Sequence, residues 1–283
     1  MSSSEPPGAT QRWRLDLAYD GRDFHGFALQ PGTVTVAGEL AAALAVTLRL
    51  SQPPTLVGAG RTDAGVHAFG QVVHVDLEVP LFGDERGPEA DRLARSLNGL
   101  LAGRVRVLSA RVVGDDFHAR YCATWRAYRY LVLETPTPTL DLTNAWSWAV
   151  AGPLDVAAMN RAGAAALGVH DFRSFCRRPD GSPRDQPLPR DVHELTWERL
   201  SDTWTLAPDA STAVRLSIRA ASFCHNMVRC LTSTMVAVGQ GRLGVDVIAE
   251  RLETPQRHGL PAPAPAAGLA LVAIGYPERF ERP

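Results

Sequence analysis

The sequence predicts an α+β fold of two similar lobes, each built on a mainly antiparallel sheet flanked by helices. Three observations carry this. The chain has 283 residues, which at about 150 residues per domain suggests two domains or one large two-lobed one. Both halves mix segments of strand period and helix period without regular βαβ alternation, the pattern of α+β rather than doubly wound folds. The run Thr135-Pro136-Thr137-Pro138 is a turn or linker signal between the halves. It divides the chain into an N-terminal lobe over 10–136 and a C-terminal lobe over 141–278.

Each element follows from its local pattern. Residues 1–9 are small and polar with two prolines, a frayed tail. Arg12 to Asp20 alternates through Leu15, Leu17 and Tyr19 as a strand does. Val36 to Leu50 carries Leu40, Leu44 and Leu48 at helical spacing. Gly70 to Val79 is a strand, with Val73, Val75 and Leu77 opposite His74, Asp76 and Glu78. A helix over Ala90–Leu101 and a strand over Arg104–Val113 follow. In Trp125–Leu133 the residues Arg126, Tyr128, Tyr130 and Val132 share one face, because strand side chains alternate with period two. The second half repeats the kinds of element without a sequence repeat: strand 145–150, helix 154–167, strands 192–200 and 212–220, helices 223–238 and 245–252, and a closing strand 269–276. Gly181 to Pro189 reads as an exposed loop, and Pro261 to Pro265 as locally extended chain.

Composition narrows the class. Hydrophobic residues make up 45% and charged residues 21%, ordinary globular values that exclude disorder and collagen-like or disulfide scaffolds. No apolar run approaches the ~20 residues of a membrane span, and Met1–Arg14 lacks the apolar core of a signal peptide. The expectation is a protein with no membrane association and no export by the general secretory route. Net charge is −1, so global charge does not point to nucleic acid. All 29 basic residues are arginine, which excludes Schiff-base, P-loop and lysine-base mechanisms. Cys122, Cys176, Cys224 and Cys230 show no CxxC pair and no common zinc spacing. Buried free thiols, at Cys122 and Cys230 above all, in a reducing cytoplasm are the economical reading.

The segment richest in chemistry is Gly58-Ala59-Gly60-Arg61-Thr62-Asp63-Ala64-Gly65-Val66-His67, followed by Gly70-Gln71-Val72-Val73-His74. Glycines permit sharp turns and close ligand approach, and an arginine beside an aspartate keeps the carboxylate charged. Residue types alone allow either a capped surface turn with an ion pair or a presented carboxylate. Farther on, Ser222, His225, Asn226, Arg229 and Ser233 fall on one stripe of the expected 223–238 helix, opposite Met227, Leu231, Met235 and Val238.

GRTDAGVHAFGQVVH resembles the catalytic motif of the tRNA pseudouridine synthase A family. Further segments match in order: Tyr19-Asp20-Gly21 with Gly26-Phe27; Asp115-Asp116-Phe117-His118-Ala119-Arg120 with Tyr128-Arg129-Tyr130; Phe223-Cys224-His225-Asn226-Met227-Val228-Arg229; and Gly268-Leu269 before Leu271-Val272-Ala273. The resemblance spans residues 12 to 280. It implies the pseudouridine synthase fold, with an active-site cleft between the lobes, and isomerisation of uridine at positions 38, 39 and 40 of the tRNA anticodon stem-loop. The glycosidic bond breaks, the base turns, and a C–C bond forms through C5, so no cofactor and no metal is required. By the same resemblance Asp63 is the catalytic aspartate, attacking as nucleophile or stabilising a glycal-type intermediate. Arg61 lies near the flipped base, Tyr128 stacks in the site and serves proton transfer, and Arg229 pairs with the carboxylate; Tyr130 is left as packing. His118 and Arg120 position RNA backbone or hold their loop. Homodimerisation follows from the family and from nothing in the composition, whereas the cytoplasmic expectation rests on the cysteine usage above.

Two positions depart from the family pattern: Phe27 is followed by Ala28 where glutamine is expected, and Ala37 stands where the next helix begins with glutamine. A catalytically silent RNA-binding protein and a metal-dependent hydrolase using His67 and His74 are the competing readings. Retention of Arg61, Asp63, Tyr128 and Arg229 together argues against the first, and the absence of metal-ligand spacing against the second.

Overall fold

A computed structural model describes residues 10–79, 81, 89–135, 146–178, 181, 185–200 and 212–281. The expected tail at 1–9, the Pro136–Pro138 part of the linker and positions 182–184 of the 181–189 loop lie outside the described residues. The fold is α+β with mostly antiparallel strands, as the sequence predicts. The chain divides into two compact units: one runs to Thr124 and takes in Ile274 onward, the other is Trp125–Ala273. The strand beginning at Trp125 thus joins the second unit, although the Thr-Pro run follows it, because its long pairing partner is a strand of that unit.

In the first unit β1 (Thr10–Tyr19) lies between β3 (His67–Glu78) and β4 (Val105–Val113), antiparallel to both, and the two-residue β2 (Val57–Gly58) pairs with β3. Helix α1 (Val36–Leu48) starts at Thr35, whose side chain accepts the Gly38 N–H, and buries Val36, Leu40 and Leu44. Helix α2 (Glu89–Leu100) buries Leu93 and Leu97 and packs along β4. Alternation sends Trp13, Leu15, Leu17 and Tyr19 of β1 into the core. The opposite face is closed by the 276–281 segment. Arg14 donates to the Phe280 carbonyl at 3.0 Å, and its guanidinium lies 4.8 Å from the Tyr276 ring centroid.

In the second unit β5 (Trp125–Thr135) pairs antiparallel with β9 (Thr212–Ala220) and parallel with β6 (Trp148–Ala151). Beyond β9 come β8 (Pro189–Arg199) and β7 (Gly168–Asp171), both antiparallel. Helix α3 (Val156–Ala164), capped by Asp155, packs on β8 and on α4 (Met227–Gly239). Close approach needs Gly163, where a Cβ would sit 2.4 Å from Leu195 Cδ2. A seven-residue α5 (Val247–Glu253) and β10 (Leu269–Gly275) complete the chain.

Three sequence expectations need correction. α4 begins at Met227, not Phe223, because Asn226 takes a left-handed conformation with φ 64° and so interrupts any helix running into it. Of its 13 residues all but Arg229 are buried, so the polar stripe reduces to that one side chain. The helix over 154–167 ends at Ala164, since Gly168, at φ 87°, opens β7. Finally, Cys176 and Cys224 are disulfide-bonded, with Cα atoms 5.7 Å apart. Cys122 is a half-buried free thiol and Cys230 a buried one.

Candidate active site

The Asp63 loop is built from the bottom by burying Thr62. Its carbonyl accepts the Phe27 N–H at 3.1 Å and its hydroxyl meets the Tyr19 hydroxyl at 2.8 Å. Gln71 on β3 donates to the Gly60 carbonyl at 2.9 Å and to the Tyr19 oxygen at 3.4 Å. Desolvation raises the Tyr19 pKa to about 12, so the phenol stays protonated as a hydrogen-bonding post. With Thr62 held inward, its neighbours lie nearer solvent: Arg61 is exposed and Asp63 half-buried. The turn closes through Val66 N–H to the Asp63 carbonyl at 3.1 Å and Gly65 N–H to the Phe24 carbonyl at 3.3 Å.

Two glycines let the loop after β1 come close to the Asp63 loop. Gly26 has φ 96°, and a Cβ there would lie 2.8 Å from the Thr62 carbonyl oxygen. A Cβ on Gly21 would lie 2.1 Å from the Val66 oxygen. The departures from the family pattern sit in this supporting layer: Phe27 and Ala37 are buried and Ala28 is half-buried, with the Ala37 N–H bonded to the Phe27 carbonyl at 2.9 Å.

Neither strand histidine has the environment of a metal ligand. His67 Nδ1 accepts the Gly21 N–H at 3.1 Å, so this nitrogen carries no proton toward Asp20, 3.2 Å away. His74 Nδ1 accepts the Ala119 N–H at 3.1 Å. Burial, with the charge of Arg12 adding to it, pushes the His74 pKa down to about 4. Among the described residues no group of three His, Cys, Asp or Glu side chains could hold a metal ion.

His118 and Arg120 belong to the turn before Trp125. His118 Nδ1 accepts the N–H groups of Arg120 and Tyr121, both at 3.2 Å, and its ring lies 4.8 Å from that of His74. Since His74 comes seven residues after His67, the strand rise puts this turn ~20 Å along β3 from the Asp63 loop. The structure therefore does not gather His118 around the carboxylate. Tyr121, which sequence reasoning passed over, is 76% exposed and stacks on His118 with ring centroids 4.3 Å apart; Arg120 lies over its ring at 5.6 Å.

In the second unit Tyr128 is buried on β5 and meets Phe223 edge-on at 5.2 Å. Tyr130, on the same strand face, donates to the Pro265 carbonyl at 2.7 Å; burial raises its pKa, and it is a packing residue. Arg229 is held by three bonds. Its Nε donates to the Ala264 carbonyl at 2.6 Å, its Nη1 donates to Asn226 Oδ1 at 3.1 Å, and its own carbonyl accepts the Ala264 N–H at 3.1 Å. A guanidinium fixed on two sides has a set direction, unlike the mobile head of a solvated helix arginine.

A family model described as tRNA pseudouridine synthase matches residues 162–277. Curated relatives match nearly the whole chain. A tRNA pseudouridine synthase A of Cutibacterium acnes is 39% identical over 266 residues, covering 94% of this chain and 89% of the relative. One of Frankia casuarinae is 40% identical over 270 residues, covering 94% and 89%. One of Streptomyces griseus is 38% identical over 282 residues, covering 98% and 92%. The chain belongs to the tRNA pseudouridine synthase A family. It is an isomerase. No helix among the described residues is long and apolar enough to cross a membrane.

Proposed function

We propose that this chain converts uridine to pseudouridine at positions 38, 39 and 40 in the anticodon stem-loop of tRNA, with Asp63 as the catalytic nucleophile. The observation that supports it most is the loop itself. A buried Thr62, pinned by Tyr19 and Phe27, presents Arg61 and Asp63 on either side of a fixed point. In the reaction the N1–C1′ bond breaks, the uracil turns, C5 bonds to C1′, and the C5 proton leaves as N1 gains one. Electrons balance without an oxidant, so the chemistry calls for no cofactor.

The uridine must leave its stack to reach a carboxylate, at a cost of a few kcal/mol that unpaired loop positions reduce. In this reading Arg61 contacts the flipped base or its phosphate. Tyr128, whose hydroxyl is carried on a buried ring, is assigned to base stacking and the proton step. Arg229 is assigned to pairing with the catalytic carboxylate, a role suited to a guanidinium already oriented by Ala264 and Asn226. His118 and Arg120 are assigned to RNA contact, with the imidazole also tying its own turn. The family's homodimer and a cytoplasmic setting complete the proposal.

The test is purified protein with an unmodified tRNA transcript, followed by chemical mapping of pseudouridine. Modification confined to positions 38–40 is the expected result. Pseudouridine elsewhere, or none, overturns the assignment.

A further inference from the structure

The second unit contains a cavity of about 920 Å³ whose wall includes Arg173, Arg177, Arg178 and Arg257 together with Asn226 and Gln256. Among the described residues no acidic side chain lines it, although the chain as a whole has 30 acidic residues against 29 basic ones. Among the described residues no aromatic ring lines it either. What it offers is guanidinium groups, the planar donors that match phosphate oxygens two at a time.

The wall is held in place. Arg173 is tied to Asp171 at 2.5 Å, which offsets part of its charge, and Arg178 donates to the Gln186 carbonyl. The Arg177 N–H donates to the His225 carbonyl at 2.9 Å, and one residue back the Cys176–Cys224 disulfide joins the same two segments. Arg177 and Arg257 have exposed side chains and sit on different segments of the wall. Asn226, also on the wall, accepts the hydrogen bond that orients Arg229. The basic cavity is therefore one side chain away from a residue assigned to the reaction.

We propose that this cavity is a subsite for the RNA backbone, with Arg177 and Arg257 engaging consecutive phosphates of the substrate near the reacting nucleotide. The inference rests on the tRNA substrate of the proposed function. Contacts of this kind add affinity and register without reading sequence.

The experiment measures binding of an unmodified tRNA transcript to the full-length protein over a salt series, and in parallel kcat at saturating tRNA. The proteins are wild type, the Arg177→Ala/Arg257→Ala double variant, and the matching double lysine variant. Loss of two phosphate contacts should lower the slope of log K against log salt by about 1.4 to 1.8. At moderate salt it should weaken binding at least about tenfold, with kcat and the melting temperature unchanged. The lysine variant should keep the wild-type slope, because the counterion term needs only the charge. A double alanine variant with wild-type affinity and slope overturns the subsite, as does displacement of wild-type tRNA binding by polyglutamate that fails to act on the alanine variant while both bind RNA equally. If wild type binds tRNA yet forms no pseudouridine, the functional proposal falls while the slope still decides the subsite.

Discussion

Thr62→Val would test whether the Asp63 loop is aimed by the buried Thr62–Tyr19 contact. The substitution keeps the branched shape and removes the hydroxyl 2.8 Å from the Tyr19 oxygen. Gln71 already donates to that oxygen at 3.4 Å, so the Tyr19 proton is the group left without an acceptor. An unsatisfied buried donor costs about 1–3 kcal/mol, whereas a hydrogen bond removed from both sides costs far less. Thr62→Val should therefore destabilise by about 1–3 kcal/mol, and Tyr19→Phe with Thr62→Val by less than the sum of the two single changes, a coupling of about 1 kcal/mol. Misplacement of a reacting group by an ångström can lower a rate by about 100-fold, so kcat should fall roughly 10- to 100-fold while tRNA affinity stays within about twofold. Urea titration followed by tryptophan fluorescence reads the stability, and single-turnover pseudouridine formation reads the rate. A Thr62→Val protein within about 0.5 kcal/mol of wild type and with normal turnover would refute the clamp.

Three other expectations use separate parts of the structure. His74 has its pKa lowered from 6.5 to about 4, so the unfolded chain binds the extra proton first. Its contribution is present above about pH 6.5 and lost as pH falls toward about 4, and His74→Gln should flatten that part of a stability–pH curve, an unchanged curve contradicting it. The disulfide closes a separation of 48 residues, worth about 4 kcal/mol by loop entropy; reduction should lower the melting temperature of wild type and leave Cys224→Ser unmoved, and equal responses would count against the bond. If the proposed pairing holds, Arg229→Ala should cripple turnover and Arg229→Lys restore it only in part, since an ammonium keeps the charge but lacks the planar fork that Ala264 and Asn226 orient; full activity in the lysine variant would remove the oriented-guanidinium argument.

How much of this was visible in the residues depends on how far each pattern reaches. β1, β5 and β9 were readable because each buries a set of alternating side chains, as with Leu15 and Leu17 on β1; β3 was readable from Val73, Val75 and Leu77 alternating with polar residues, although it is buried on both faces from Gln71 to Val75. β2 and β7 were not, being two and four residues long with no alternation to read. The start of α4 was misplaced because its boundary is a backbone conformation at Asn226, and helical spacing of Ser222 and His225 carries no information about it. In the Asp63 segment the glycines and the Arg-Thr-Asp order were readable. The props were not, because Tyr19 and Gln71 reach Thr62 and Gly60 across 43 and 11 residues of chain. The Cys176–Cys224 pairing had no spacing signal, and the four arginines of the basic cavity come from segments some 80 residues apart.

The most direct test of the central claim is single-turnover conversion of an unmodified tRNA transcript by wild type and by Asp63→Asn, with tRNA affinity measured on both. Asparagine keeps the size and the Gly-flanked turn but cannot act as a carboxylate nucleophile. The account predicts pseudouridine at positions 38–40 with wild type, none above background with Asp63→Asn, and equal affinity for tRNA. Substantial conversion by the Asp63→Asn protein would contradict it.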